Sequence, residues 1–490
     1  MPGEAVAAWR LALLLAIPTV PHATAASCVT SLDCSLNGAC SSSSVCECYD
    51  GWRGQHCERL DIQPTAPSLT AQRAYPPANG TASWGGNAVY DSQSKLWHLF
   101  VSPVAHSCGM DCWNTQQFIQ HAISKDVAGP YVDAPGGGVV QPLMSTNPQA
   151  VVVPNGSVLI AHIGRGQPFP QPALQVWTNC SGGVTPCCHG PSASAAAAAA
   201  EGGAASAAPP PPGPSPGCTN AGKPCTIMWP SADTGFLAGD SFDGPWTKHT
   251  STFHTPASPS VRPWPFAVGT GMPSFDNPSP LMMKNGTLLM MHVLRITQDG
   301  ANTANFAAIA RSDNWADDKS WRPIAGEDFA RGMITTNTPF RGAGCNLSTG
   351  VEVDGHRFRC PAVSEDPFFW QDARGNFHAI FHYDGATHAF SENAIDWWIS
   401  PSYAYTPVVQ HTDGTSTQYA SRERPKLALD PKTLAPVAVL SAVRAPWLDS
   451  RCAQRKPPWN VHAPFCDASF THVQLVGRES STKRYRESAS

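Results

Sequence analysis

Two places in this chain set carboxylates at the start of an apolar, strand-length run: Glu365-Asp366-Pro367 and Arg422-Glu423-Arg424-Pro425. Paired carboxylates suit cleavage of a glycosidic bond, which needs one group ionised and another protonated on either side of it. Asp366, Glu423 and Glu365 are therefore the candidate catalytic residues. Imidazoles and cations recur near the ends of comparable runs: His162 with Arg165, His292 with Arg295, and His382 with Asp384, while Arg424 flanks Glu423. These are the candidates for holding a sugar, and arginines gathered by loops suit an anionic one. Each has a structural alternative. The repeated histidines, and His388 near them, could bond the neighbouring blade. Glu423 between Arg422 and Arg424 could form a salt bridge.

The elements that must position these groups repeat. Asn147-Pro148 opens a stretch running through Asn155-Gly156, Leu159 and His162 to Arg165. Asn277-Pro278 opens a second, through Asn285-Gly286, Leu289 and His292 to Arg295, aligned without a gap. Asp366-Pro367 opens a third with Gly375, Phe377 and His382, one residue longer at the turn. Such self-similarity marks repeat architectures. Proline suits the first residue of a strand, and Asn-Gly supplies the positive φ angles of a tight hairpin. A second element follows each hairpin, as in Ser241 leading to Gly244-Pro245-Trp246 and Ala389-Phe390-Ser391 leading to Trp397-Trp398. Four strands per unit describe propeller blades. Counting from Gly86-Asn87, the sequence predicts a mainly β chain with a five-bladed β-propeller over residues 83–476. Residues 192–217, rich in Ala, Pro and Gly, are expected to be a loop insertion, and residues 477–490 a polar tail.

A small cysteine-rich module precedes the ring. Arg10, the apolar run Leu11–Ile17 and the small residues Ala23-Thr24-Ala25-Ala26 form a secretory signal over residues 1–26, too short to span a bilayer. Seventeen cysteines suit an oxidising compartment. Asn-X-Ser/Thr sequons begin at Asn79, Asn155, Asn179, Asn285 and Asn346. Asn155 and Asn285 also serve as turn residues, which is read as their main role. Net charge is −4, which argues against nucleic-acid binding. Cys28, Cys34, Cys40, Cys46, Cys48 and Cys57 fall in residues 27–59, and spacing alone leaves fifteen pairings open. Residues 60–82 read as a linker.

The run Cys46-Glu47-Cys48-Tyr49-Asp50-Gly51-Trp52-Arg53-Gly54-Gln55-His56-Cys57 resembles the second half of an epidermal-growth-factor-like (EGF-like) domain. The resemblance implies bridges Cys28–Cys40, Cys34–Cys46 and Cys48–Cys57. It leaves a protein partner open, though a spacer or adhesion role is preferred. Calcium-binding members carry acids before the first cysteine, and Ala25-Ala26-Ser27 offers none. Cys108 with Cys112, Cys345 with Cys360, and Cys452 with Cys466 read as local bridges. A zinc site using His106 or His121 beside Cys108 and Cys112 is the sharper alternative, and disulfides are preferred. No metal and no cofactor are expected.

The predicted ring, over roughly Ser83 to Val476, is similar to the arabinanase and invertase-type glycoside hydrolases. That resemblance implies three carboxylates projecting from the innermost strands of successive blades into a central funnel. The chain departs from it. Gly86-Asn87, Asn147 and Asn277 stand where the first three blades would carry acids, although Asp276 adjoins the third. The resulting expectation is a secreted glycoside-hydrolase-like propeller acting on or binding an extracellular polysaccharide. The alternative is a non-catalytic carbohydrate-binding or matrix adhesion protein. In either case the partner is a carbohydrate or cell-surface glycan.

Overall fold

Alternating apolar residues that must be buried on both faces explain why these strands close into a ring. A computed structural model describes residues 28–68, 72–75, 82–105, 117–142, 145–164, 234–250, 275–298, 301–317, 320–326, 331–341, 345–444 and 469–477. The expected secretory signal, Arg165, the expected insertion at 192–217, and the expected bridges Cys108–Cys112 and Cys452–Cys466 lie outside them. The chain is a five-bladed β-propeller and mainly β among the described residues. No helix there is long and apolar enough to cross a membrane.

Blade 1 is built on Ser83–Asp91, Leu96–Pro103, Ile119–Ser124 and Val132–Asp133, with Val139–Gln141 added beside the third strand. Blade 2 uses Thr146–Val152, Val158–Ile163, Thr234–Gly239 and Trp246–Thr250. Blade 3 uses Phe275–Met282, Leu288–Gln298, Ala301–Ser312 and Arg322–Pro323. Blade 4 uses Glu365–Gln371, Phe377–His382, Ala386–Ser391 and Trp398–Tyr405. Blade 5 has three strands, Ser421–Leu429, Pro436–Arg444 and Ser469–Leu475. All pairings within blades are antiparallel, and each innermost strand touches that of the next blade around the full circle.

One apolar cluster fills each seam. Phe100 and Ile119 meet Val158, Ile160 and Leu237 between blades 1 and 2. Leu159, Ala161 and Phe236 meet Leu288 and Met290 between blades 2 and 3. Leu159 and Ile160 thus face opposite seams, as the two-residue period of a strand requires. Leu289 and Met291 pack on Phe369 and Phe381, and Leu440 and Val473 pack on Leu99 and Val101.

The seam between blades 4 and 5 contains the cysteine module. Its three bridges are Cys28–Cys40, Cys34–Cys46 and Cys48–Cys57, the pairing the resemblance implied. Trp52 and Leu60 join Phe368, Trp370, Leu427 and Val439 in one core. Arg341 donates from Nε to Asp33 Oδ1 at 3.0 Å, and Arg374 lies over the Tyr49 ring at 3.8 Å. A module this small buries little of its own surface, so the propeller supplies the apolar wall it lacks. It is therefore a packed part of the molecule and not a detached spacer.

The stretch read as a linker is likewise engaged. Ile62 bridges Val476 and Arg73 bridges His472, both antiparallel. Gln63 N–H donates to Leu475 O and Ala74 N–H to Thr471 O, each at 2.9 Å. These residues cover the edge of blade 5 that a fourth strand would occupy, which removes an open edge. The expected Cys345–Cys360 bridge is formed ahead of blade 4.

Candidate functional site

Every innermost strand starts with the same irregularity. The ladder slips between Ser83 and Gly86, Thr146 and Gln149, Asp276 and Ser279, Glu365 and Phe368, and Glu423 and Lys426. Within each slip one residue takes a left-handed backbone: Gly85, Asn147, Asn277, Asp366 and Arg424. Asn and Asp tolerate that region better than other side chains. Bulges of this kind re-aim a side chain at a strand end. Here they turn one residue per blade toward the axis. In blade 1 the ladder assigns that place to Gly85, one residue before the Gly86-Asn87 expected from the sequence.

These axial residues bond across the ring. Asn147 donates from Nδ2 to Asn277 Oδ1 at 2.6 Å and to Asp366 Oδ1 at 2.8 Å, joining blades 2, 3 and 4. Arg424 donates from one terminal nitrogen to Trp84 O at 2.9 Å and Thr146 Oγ1 at 2.8 Å. Its Nε stands 3.8 Å from Asp366 Oδ1. A Cβ added at Gly85 would fall 2.8 Å from Arg424 Cδ. The arginine stem thus fills the axial place that a side chain from blade 1 would occupy. Two residues further along, Lys426 is fully buried and donates from Nζ to Pro367 O at 2.6 Å. Burial pushes its amine down to about 7, against the pull of Asp366 in the other direction.

Asp366, His382 and Glu423 gather at the mouth. Their ligating atoms lie within 4.8 Å of one another, and they are the group at this mouth that could hold a cation. Asp366 is 4% exposed, while His382 and Glu423 are half-buried. His382 Nδ1 stands 3.8 Å from Asp366 Oδ2. Glu365 pairs with His382 in the ladder but is not in that cluster.

The remaining candidates separate. Thr146 pairs with Ile163 and Glu365 with His382, so Phe381 is the counterpart of His162 and His292. His382 is therefore one residue out of register with them. A shift of one residue exchanges the faces of a strand. His162 is fully buried over Gly235, where an added Cβ would meet its ring at 2.5 Å, and burial pushes it down to about 4. His292 is buried in blade 3. His388 bonds Ser400 Oγ at 2.7 Å and His378 at 3.2 Å inside blade 4. Asp384 is clamped by Arg359, whose Nε donates at 2.7 Å, and that bonding holds its carboxyl below the usual range. Arg422 is buried beneath the Tyr405 ring and donates to Ser441, Thr406 O and Gln474, with no ion pair to Glu423 among the described contacts. Arg295 lies in the second strand of blade 3, and its side chain, like that of Asp276, is outside the description.

Sequence reasoning set Asn147 and Asn277 at the axial starts of their blades but missed their bonds across the ring, and it missed Lys426 as an axial residue. Their signal was the recurring Asn-Pro, Asn-Pro, Asp-Pro, Arg-Pro dipeptide, which marks the same bulge four times.

No protein-family model matches the chain, and no curated protein matches it. Among solved structures it is similar to Zg3597, a family 117 glycoside hydrolase of Zobellia galactanivorans, at 9% identity, covering 86% of this chain and 91% of that one with a TM-score of 0.44. A thermostable family-43 glycoside hydrolase is similar at 8% identity over 84% and 91% of the two chains, with a TM-score of 0.40. The endo-arabinase of Bacteroides thetaiotaomicron VPI-5482 is similar at 12% over 85% and 97%, with a TM-score of 0.39. Likenesses this distant carry no argument about activity.

Proposed function

We propose that the chain is an extracellular saccharide-binding propeller that holds its ligand at the axial mouth without cleaving it. The observation that carries this reading is the bond from Asn147 to Asp366. Glycoside hydrolysis requires two carboxyl groups placed on opposite sides of a bound sugar. Here Asp366 is nearly buried, is held by an amide, and faces Arg424. Asparagine cannot serve as acid or base in blades 2 and 3, and Arg424 occupies the axial place of blade 1. His382 and Glu423 remain at the mouth as polar groups suited to sugar hydroxyls. The order of the three module disulfides supports an EGF-like assignment. Together with the N-terminal apolar run and the sequons, they support a secreted protein that tethers or senses a glycan.

A second reading, hydrolysis, is favoured by the proximity of Asp366 and Glu423. Incubation with a panel of plant, algal and microbial polysaccharides distinguishes the two. Retention on an immobilised polysaccharide, weakened by Glu423→Gln, with no new reducing ends, is the expected outcome. Reducing-end release that disappears in Glu423→Gln would replace binding with catalysis. Neither retention nor release would remove both.

A further inference from the structure

The two Asn-Gly turns can do more than reverse the chain. Asn155 lies in the hairpin turn after Thr146–Val152, and Asn285 in the turn after Phe275–Met282. Both side chains are exposed. In each, only the carboxamide oxygen is engaged by the turn. Asn155 Oδ1 accepts from Ser157 N–H at 3.0 Å and from Ser157 Oγ at 2.6 Å. Asn285 Oδ1 accepts from Thr287 N–H at 3.1 Å. Neither amide nitrogen is bonded among the described contacts, and a Cβ added at either Gly156 or Gly286 would meet nothing within 4 Å. The turns therefore have room for a bulky substituent on Nδ2. Each asparagine also begins a sequon, completed by Ser157 and Thr287.

Topology sets both turns on one face. The innermost strands start at the axial mouth, at Asn147 and Asn277, and reach these turns about 17 Å further on. We infer that Asn155 and Asn285 carry N-linked glycans on the face opposite the Asp366 mouth. In the transfer, the Asn Nδ2–C1 bond forms to the sugar of a polyprenyl-diphosphate oligosaccharide. The C1–O bond to the diphosphate breaks, the diphosphate leaves with the electron pair, and the amide loses one proton to base. Asn346, in the loop closed by Cys345–Cys360, is not part of this inference.

The inference rests on the extracellular part of the proposed function, and the experiment separates the two. The full chain is expressed in a eukaryotic host with its own N-terminus and, in parallel, behind a supplied secretory leader. Enzymatic deglycosylation in heavy-oxygen water converts each occupied asparagine to a labelled aspartate, read by peptide mass spectrometry. Label at both 155 and 285 is expected. Unlabelled asparagine at either position in the leader-driven protein overturns the inference. Failure of only the native N-terminus to deliver protein counts against secretion and leaves the site test intact. Asn155→Asp with Asn285→Asp keeps both turn acceptors, so the double variant should lose two glycans, fold normally and retain polysaccharide as the parent does. A folded double variant that loses retention would overturn the assignment of the glycans to the face away from the ligand.

Discussion

Trp52 of the cysteine module and His388 of blade 4 have ring centroids 4.9 Å apart, tilted by 42°. His388 is fully buried and continues through Ser400 to Ser35, back in the module. A module joined by both an apolar core and a polar chain should melt with the ring. Trp52→Ala should lower the stability of the whole molecule by about 3–5 kcal/mol, as large aromatic truncations do. Calorimetry should show one transition in the parent. Two transitions, with only the smaller one moved by the substitution, would contradict the shared core.

Asn147→Asp would set a second carboxylate against Asp366 at a bonded distance of 2.8 Å. Like charges this close cannot both ionise, so one pKa rises well above its unfolded value. A raised carboxyl contributes stability below the unfolded pKa, near 4, and loses it as pH climbs through the folded value. The variant should approach the parent in melting temperature near pH 4 and fall behind it by pH 8. A constant difference across that range would show that the amide proton of Asn147 is not what couples blades 2 and 4.

Lys426 gives the opposite slope. Its amine titrates near 7 when folded and near 10.5 when unfolded. Between those values the unfolded chain binds the extra proton, so stability rises with pH. Lys426→Met should flatten this part of the stability profile measured by urea unfolding. An unchanged slope from pH 7 to 10 would place the titrating group elsewhere.

The Cys345–Cys360 bridge closes a separation of 15 residues ahead of blade 4. Replacing both cysteines with serine should cost about 3 kcal/mol if loop entropy governs. The loss should appear in thermal unfolding while the module bridges, mapped by peptide mass, stay intact.

Fold and site were unequally legible. Asn-Gly turns, proline-led strands and the Ser–aromatic element are local signals, and they announced the blades because each blade repeats the same backbone problem. The module pairing was legible only through the resemblance, since spacing alone left fifteen pairings open. The site was harder because its logic lies between blades. Asn147 reads as the loss of an acid at a strand start until Asp366, 219 residues away, is seen to accept its amide proton. The sequence reading opened blade 1 at Gly86-Asn87 and passed over Gly85, against which the Arg424 stem packs. His382 looked like the partner of His162 and His292 across a turn one residue longer, but the three hairpins are equally long, and His382 takes the place of Ile163 and Val293, on the other face. A sequence period detects which residues are equivalent along the chain. It does not detect which meet at an axis.

The strap along blade 5 has a mechanical meaning. Ile62 and Val476 face each other antiparallel, followed inward by Arg73 and His472. Tension applied to the chain before residue 62 and after residue 476 therefore pulls at the same end of the seam. Its hydrogen bonds would bear the load one after another and not together. A ring closed by five packed seams would thus open like a zip under traction, with the module drawn from its groove as the strap peels.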